Sequence, residues 1–108
     1  MNQTELTESA IALLKQLISI ESFSKEEDKT ADAIQAWLAK YDIPTERDLN
    51  NIIAKNKYWD DSKPTLLLNS HHDTVKPNTA YTKDPFLPHI EDGKLFCLGS
   101  NDAGGPLV

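Results

Sequence analysis

Thr65-Leu66-Leu67-Leu68-Asn69-Ser70-His71-His72-Asp73-Thr74-Val75 is the stretch on which the reading of the fold turns. The run from Thr65 to Asn69 is unbroken in its apolar character, follows Pro64, and is too short for a buried helix. It suits a strand covered on both faces, as in a largely parallel sheet. Such a strand delivers His71, His72 and Asp73 to its carboxyl end, where open α/β sheets collect ligands and catalytic groups. Alternation places His71 and Asp73 on one side and His72 on the other. Imidazole is a good ligand for zinc and similar metals. A carboxylate two residues on can hold the other ring nitrogen and raise the ligand's basicity. His71 is therefore a candidate metal ligand and Asp73 its clamp. The bland alternative is a set of polar residues at a strand end, with His72 solvated, and the residues alone leave both readings open.

Working upstream, Ala10, Leu13, Leu14, Leu17 and Ile18 recur at helical spacing and predict an amphipathic helix over Thr7–Ile20. Ser24 followed by Glu27 reads as a capping box opening a second helix, with Ala31, Ile34, Trp37, Leu38 and Tyr41 on one face. Pro44 ends it by disfavouring helical geometry at Ile43. Asn51–Lys55 predicts a short strand and Tyr58–Pro64 a turn. Downstream, Lys76–His89 carries Pro77, Pro85 and Pro88 and predicts a structured loop. Glu91-Asp92-Gly93 predicts a hairpin turn into Lys94-Leu95-Phe96. Helices followed by strands point to an α/β layer architecture.

A second constellation closes the chain: Leu98-Gly99-Ser100-Asn101-Asp102-Ala103-Gly104-Gly105. Glycines permit left-handed backbone and close approach, so a carboxylate held among them could bridge two metal ions. Taken alone, an Asn-Asp turn with no ligand is the better reading of this stretch.

Seventeen acidic residues stand against 11 basic ones, for a formal net charge of −6. No concentrated basic surface exists for nucleic acid or for an anionic membrane. Cys97 is the single cysteine, so no intrachain disulfide can form. The opening Met1-Asn2-Gln3-Thr4 is polar, and no apolar run is long enough to span a bilayer. A soluble cytoplasmic protein is expected. The 108 residues suffice for one domain, but the apolar ending Gly104–Val108 suggests that the parent chain continues.

Taken together, Leu68 to Pro77, Asp84-Pro85-Phe86, and Asp92 to Asp102 with Gly104-Gly105 resemble the zinc-dependent aminoacylase and exopeptidase family. That family includes acetylornithine deacetylase and succinyl-diaminopimelate desuccinylase. The 31-residue step from His71 to Asp102 fits it, as do the helical stretches Leu13–Leu17 and Ala33–Leu38. The resemblance implies that residues 1–108 are the amino-terminal part of a three-layer αβα catalytic domain with a mostly parallel or mixed sheet, lacking the smaller lid domain. It implies two divalent metals, zinc or else cobalt, with His71 ligating one and Asp102 bridging both. Asp73 would be the catalytic residue of this chain, orienting the imidazole, and Asp102–Ala103 would be a cis peptide.

The implied reaction is hydrolysis of an N-acylated amino acid. The preferred substrate is an acetyl derivative such as acetylornithine. A desuccinylase, a dipeptidase or a non-catalytic binding domain are the alternatives. The metals would activate water, and the family's glutamate pair, further acidic ligand and late histidine cannot be placed here. Glu26-Glu27 does not supply that pair, because it sits where a helix begins and acidic residues favour the dipole. Cys97 and Leu98 stand where many members have glycine and arginine. Cys97 reads as a packed side chain rather than a nucleophile, having no activating base nearby. The parent would be a homodimer through its lid domain, and the isolated 108-residue chain inactive.

Overall fold

Helical periodicity is confined to the first third of the chain, and the two helices form there. The computed structural model describes residues 1–108. Helix α1 spans Gln3–Ile18, starting earlier than its apolar pattern indicates. Its start is set by a reciprocal cap: Glu5 N donates to Asn2 Oδ1 at 2.8 Å, and Asn2 N donates to Glu5 Oε2 at 2.9 Å. A polar first turn leaves no apolar signature, so periodicity missed it.

Helix α2 spans Asp28–Lys40. The expected Ser24–Glu27 capping box does not form. Glu27 occupies the cap position without a side-chain cap bond, and Lys25 takes φ 72°, turning Ser24 away from the helix. Ser24 donates instead to the Asp73 carboxylate at 2.6 Å, a charge-assisted bond. The carboxyl end is closed by a Schellman arrangement. Asp42 is left-handed at φ 58°, and Ile43 N and Asp42 N return to the carbonyls of Leu38 and Ala39 at 3.0 and 3.1 Å. Pro44 follows this stop.

Leu13 and Leu17 of α1 pack on Ala33 of α2, with Ile20, Ile34, Trp37 and Leu107 around them. Trp37 Nε1 donates to Ser9 Oγ at 3.2 Å, which pairs with the Tyr41 hydroxyl at 2.7 Å. The core is thin: nine of 108 residues are buried. The Cα radius of gyration is 15.1 Å, against about 13 Å for a compact domain of this length.

Two antiparallel hairpins make up the sheet structure. Strand β1, Thr45–Asp48, pairs with β2, Asn51–Ala54, through a two-residue turn in which Leu49 takes φ 55°. β1 carries three charged or polar residues in Glu46, Arg47 and Asp48, and had no apolar alternation by which to be found. Strand β3, His89–Glu91, pairs with β4, Lys94–Phe96. There the expected turn forms, with Asp92 and Gly93 both left-handed at φ 51° and 71°, as a type I′ hairpin requires.

The covered strand expected at Thr65–Asn69 is not formed. Leu66, Leu67 and Leu68 are 84, 81 and 85% exposed, and Thr65 to Asp73 make no backbone–backbone hydrogen bond. A strand exists only through its neighbours, and both sheets here are local hairpins that do not reach this run. Parallel pairing is limited to one bridge between Phe23 and Thr74. No helix is long and apolar enough to cross a membrane.

Candidate functional site

Two arms meet at the site. The first is residues 71–74, carried by the segment that leaves α1. Thr74 N donates to the Ser22 carbonyl at 2.8 Å and Ser24 N to the Thr74 carbonyl at 3.2 Å. The buried Ser22 adds a hydroxyl bond to the His72 carbonyl at 3.0 Å. The second arm is the turn Ser100–Gly104, closed by Gly104 N to the Gly99 carbonyl at 2.9 Å. Asp102 and Ala103 depart from helical dihedrals within it, and the peptide between them is cis.

Glycine is what lets the arms approach. Gly99 is left-handed at φ 81°, and a Cβ there would lie 2.7 Å from Thr74 Cγ2. A Cβ on Gly104 would lie 2.7 Å from Leu14 Cδ1 on α1. Asp84-Pro85-Phe86 steadies the second arm from outside. Pro85's carbonyl accepts from Leu98 N at 3.0 Å and from Cys97 Sγ at 2.9 Å, while Phe86 lies against Phe23 with ring centroids 6.2 Å apart.

The result brings all three candidate residues together. His71 Nδ1 is 3.0 Å from Asp73 Oδ1, and His71 Nε2 is 3.1 Å from Asp102 Oδ1. Asp73 is held in turn by the Ser24 hydroxyl on its other oxygen at 2.6 Å. The imidazole is thus gripped on one nitrogen and presents the other to a largely exposed carboxylate. Beside the pair opens a cleft of about 320 Å³, lined by His71, Asp73, Tyr81, Leu98, Asn101 and Asp102.

These donors suit a divalent metal as far as they go. A tetrahedral ion bound at about 2.0–2.1 Å places its ligand atoms about 3.3–3.4 Å apart, and the His71–Asp102 separation of 3.1 Å is close to that. The pair is an imidazole nitrogen and a carboxylate oxygen, with the second imidazole nitrogen on a carboxylate, which is the usual outer support of a metal-bound histidine. No group of three or more His, Cys, Asp or Glu side chains is arranged so that it could hold a metal ion by itself. Glu26 and Glu27 take no part: Glu27 accepts from Lys25 N and from Asn50 Nδ2.

Electrostatics follow the contacts. Partial burial disfavours the His71 imidazolium, but the Asp73 carbonyl and charge, with the Asp102 carboxylate, outweigh it and raise the pKa above the ordinary histidine value. The Ser24 hydroxyl holds the Asp73 pKa below the usual carboxylate range, against some burial and with help from His71. Burial pushes the Cys97 thiol up. That thiol packs against the Ile18 and Pro85 carbonyls and is poorly suited to act as a nucleophile.

Sequence reasoning missed Ser24 as the support of Asp73, because the same serine fitted a helix cap. It also missed what holds His72. That ring is half-buried, with Nδ1 2.7 Å from Thr30 Oγ1 and Nε2 3.0 Å from the Asn50 carbonyl.

No family model matches the chain. Among curated proteins it is similar to several succinyl-diaminopimelate desuccinylases. It is 26% identical to that of Nautilia profundicola over 87% of this chain and 26% of the relative. It is 27% identical to that of Beijerinckia indica over 95% of this chain and 29% of the relative. The Wolbachia pipientis protein is 31% identical over 85% of this chain and 24% of the relative. The chain therefore spans about a quarter of the length of the curated relatives it matches.

Proposed function

We propose that this chain carries the first half of a two-metal site in a hydrolase that cleaves the amide bond of an N-acylated amino acid. The observation that carries it is the meeting of His71 Nε2 and Asp102 Oδ1 at 3.1 Å across 31 residues of sequence, with Asp73 on the far ring nitrogen. The relatives bear the name of a desuccinylase, so a succinylated diamino acid is the favoured substrate, ahead of the acetylornithine expected from sequence. The full-length protein would place these residues in a three-layer αβα domain and dimerise through a second domain.

Divalent metals, zinc or cobalt, would supply an activated water and polarise the scissile carbonyl. His71, through Nε2, and Asp102, through its carboxylate, would be the residues of this chain that hold them. Asp73 fixes the His71 tautomer, its backbone carbonyl accepting from Nδ1–H at 3.3 Å with its carboxylate 3.0 Å from the same nitrogen, which leaves the Nε2 lone pair free for a ligand. Ser24 keeps Asp73 ionised and aimed. Tyr81 and Leu98 wall the cleft next to the pair. The proton-shuttling acid is not among these residues, so the 108-residue chain alone should show no turnover.

The test uses the full-length protein that contains this sequence, assayed on succinyl-diaminopimelate, acetylornithine and dipeptides with and without chelator. His71→Ala and Asp102→Ala should each abolish metal-dependent hydrolysis. Undiminished hydrolysis in both variants would overturn the assignment, as would turnover by the isolated chain.

A further inference from the structure

Of the two adjacent histidines, His72 points away from the metal pair into a polar nexus that no part of the proposed reaction uses. Asn50's carbonyl can only accept, so the proton of the His72 ring lies on Nε2, 3.0 Å away. Nδ1 is then an acceptor, and the Thr30 hydroxyl donates to it at 2.7 Å, in preference to the more distant Glu27 carbonyl at 3.1 Å. Thr30 is 1% exposed, so an alternative partner from solvent is closed to it. Asn50 is itself tied down, its side chain accepting from Arg47 Nη2 and donating to Glu27 Oε2, both at 3.3 Å. Arg47 in turn bonds Asp32 and Gln35 on α2.

The consequence reaches the site through one peptide unit. Both ring nitrogens of His72 are engaged, so neither is available as a ligand, and the ring bolts the backbone beside His71 to α2 and to the β1–β2 turn. That anchorage adds to the Ser22 hydroxyl on the His72 carbonyl, in a segment, residues 65–73, that has no ladder of backbone bonds. We propose that His72 is a positioning residue: locked as the Nε2–H tautomer between Thr30 and Asn50, it sets the orientation in which His71 meets Asp102. The inference rests on the proposed metal role of His71 for its purpose, though not for its geometry.

The test is made on the 108-residue protein itself by imidazole ¹⁵N spectroscopy at about pH 8.5, above the ordinary imidazole range. The wild type should show His72 as the Nε2–H tautomer. His72→Ala should move the His71 ring nitrogens toward free-imidazole values and lose the His71–Asp102 through-space contact. His72→Gln, whose amide offers one donor and one acceptor at similar spacing, should restore both. An Nδ1–H tautomer at His72, an unmoved His71 in folded His72→Ala, or a His72→Gln as displaced as the alanine variant would overturn the proposal. Should His72→Ala fail to fold, the wild-type tautomer and the glutamine variant decide it. Cobalt titration of the full-length protein that contains this sequence reports separately on the metal reading: no paramagnetic shift at His71 there would count against that reading and leave the His72 result standing.

Discussion

Gly99→Ala should be among the most damaging single-methyl additions in this chain, and its cost can be divided in advance. The backbone at Gly99 is left-handed at φ 81°, which charges any L-residue with a Cβ about 1–2 kcal/mol. The new Cβ would also lie 2.7 Å from Thr74 Cγ2, and overpacking of that kind adds about 1–3 kcal/mol. Together these make about 2–5 kcal/mol, a large share of the stability that so thin a core can supply. Gly93→Ala is the internal control: its φ of 71° is comparable, but its Cβ would meet nothing within 4 Å. It should cost only the backbone part, about 1–2 kcal/mol. Thr74→Ser removes the clashing methyl, so the double variant Thr74→Ser/Gly99→Ala should recover the steric part. Urea unfolding at constant m-value measures each difference. Equal losses for Gly99→Ala and Gly93→Ala, or no recovery in the double variant, would refute the close approach of the two arms.

Ser24→Ala removes the 2.6 Å bond to Asp73. Because that carboxylate is one-third exposed, the loss should be about 0.5–1.5 kcal/mol rather than the full value of a charged bond. The depressed Asp73 pKa contributes stability above the unfolded carboxylate value, lost as pH falls through the native one. In Ser24→Ala the native Asp73 pKa should therefore rise, read from its carboxyl ¹³C titration, and no rise would refute the contact. Leu49→Gly should stabilise by about 1 kcal/mol, since an exposed leucine at φ 55° carries about 1–2 kcal/mol of strain that exceeds glycine's entropic penalty; a lower thermal midpoint would contradict it. The raised His71 pKa contributes stability that is complete below the unfolded histidine value and lost as pH rises through the native one. Metal must displace that proton, so zinc or cobalt affinity should climb about tenfold per pH unit below the native His71 value. Affinity independent of pH across that range would remove His71 from the ligand set.

Much of the local structure was legible because its causes lie within a few residues of each other. The α1 and α2 periodicity and the Asp92-Gly93 turn are of this kind. The reading failed where two motifs competed for one residue. Ser24 fits a capping box, yet a carboxylate 49 residues away takes its hydroxyl. It failed again at β1, a strand built from polar residues that only its hairpin partner specifies. The three candidate site residues were singled out from type and order, and the fold brings them together, but His72's engagement was not legible, since nothing adjacent marks Thr30 or Asn50 as its partners.

By itself the sequence determined which chemistry is present: an imidazole with a carboxylate two residues on, and a second carboxylate set among glycines. It determined the helices and one turn, because hydrogen bonds and apolar stripes at short spacing need no distant partner. Tertiary structure alone decided that His71 faces Asp102 while His72 is spent on α2 and β2's leading turn. It also decided that Leu66–Leu68, for all its strand-like composition, stays exposed in this chain. Pairing a strand and orienting a ring both depend on groups many residues away, and only the folded chain brings those groups within hydrogen-bonding range.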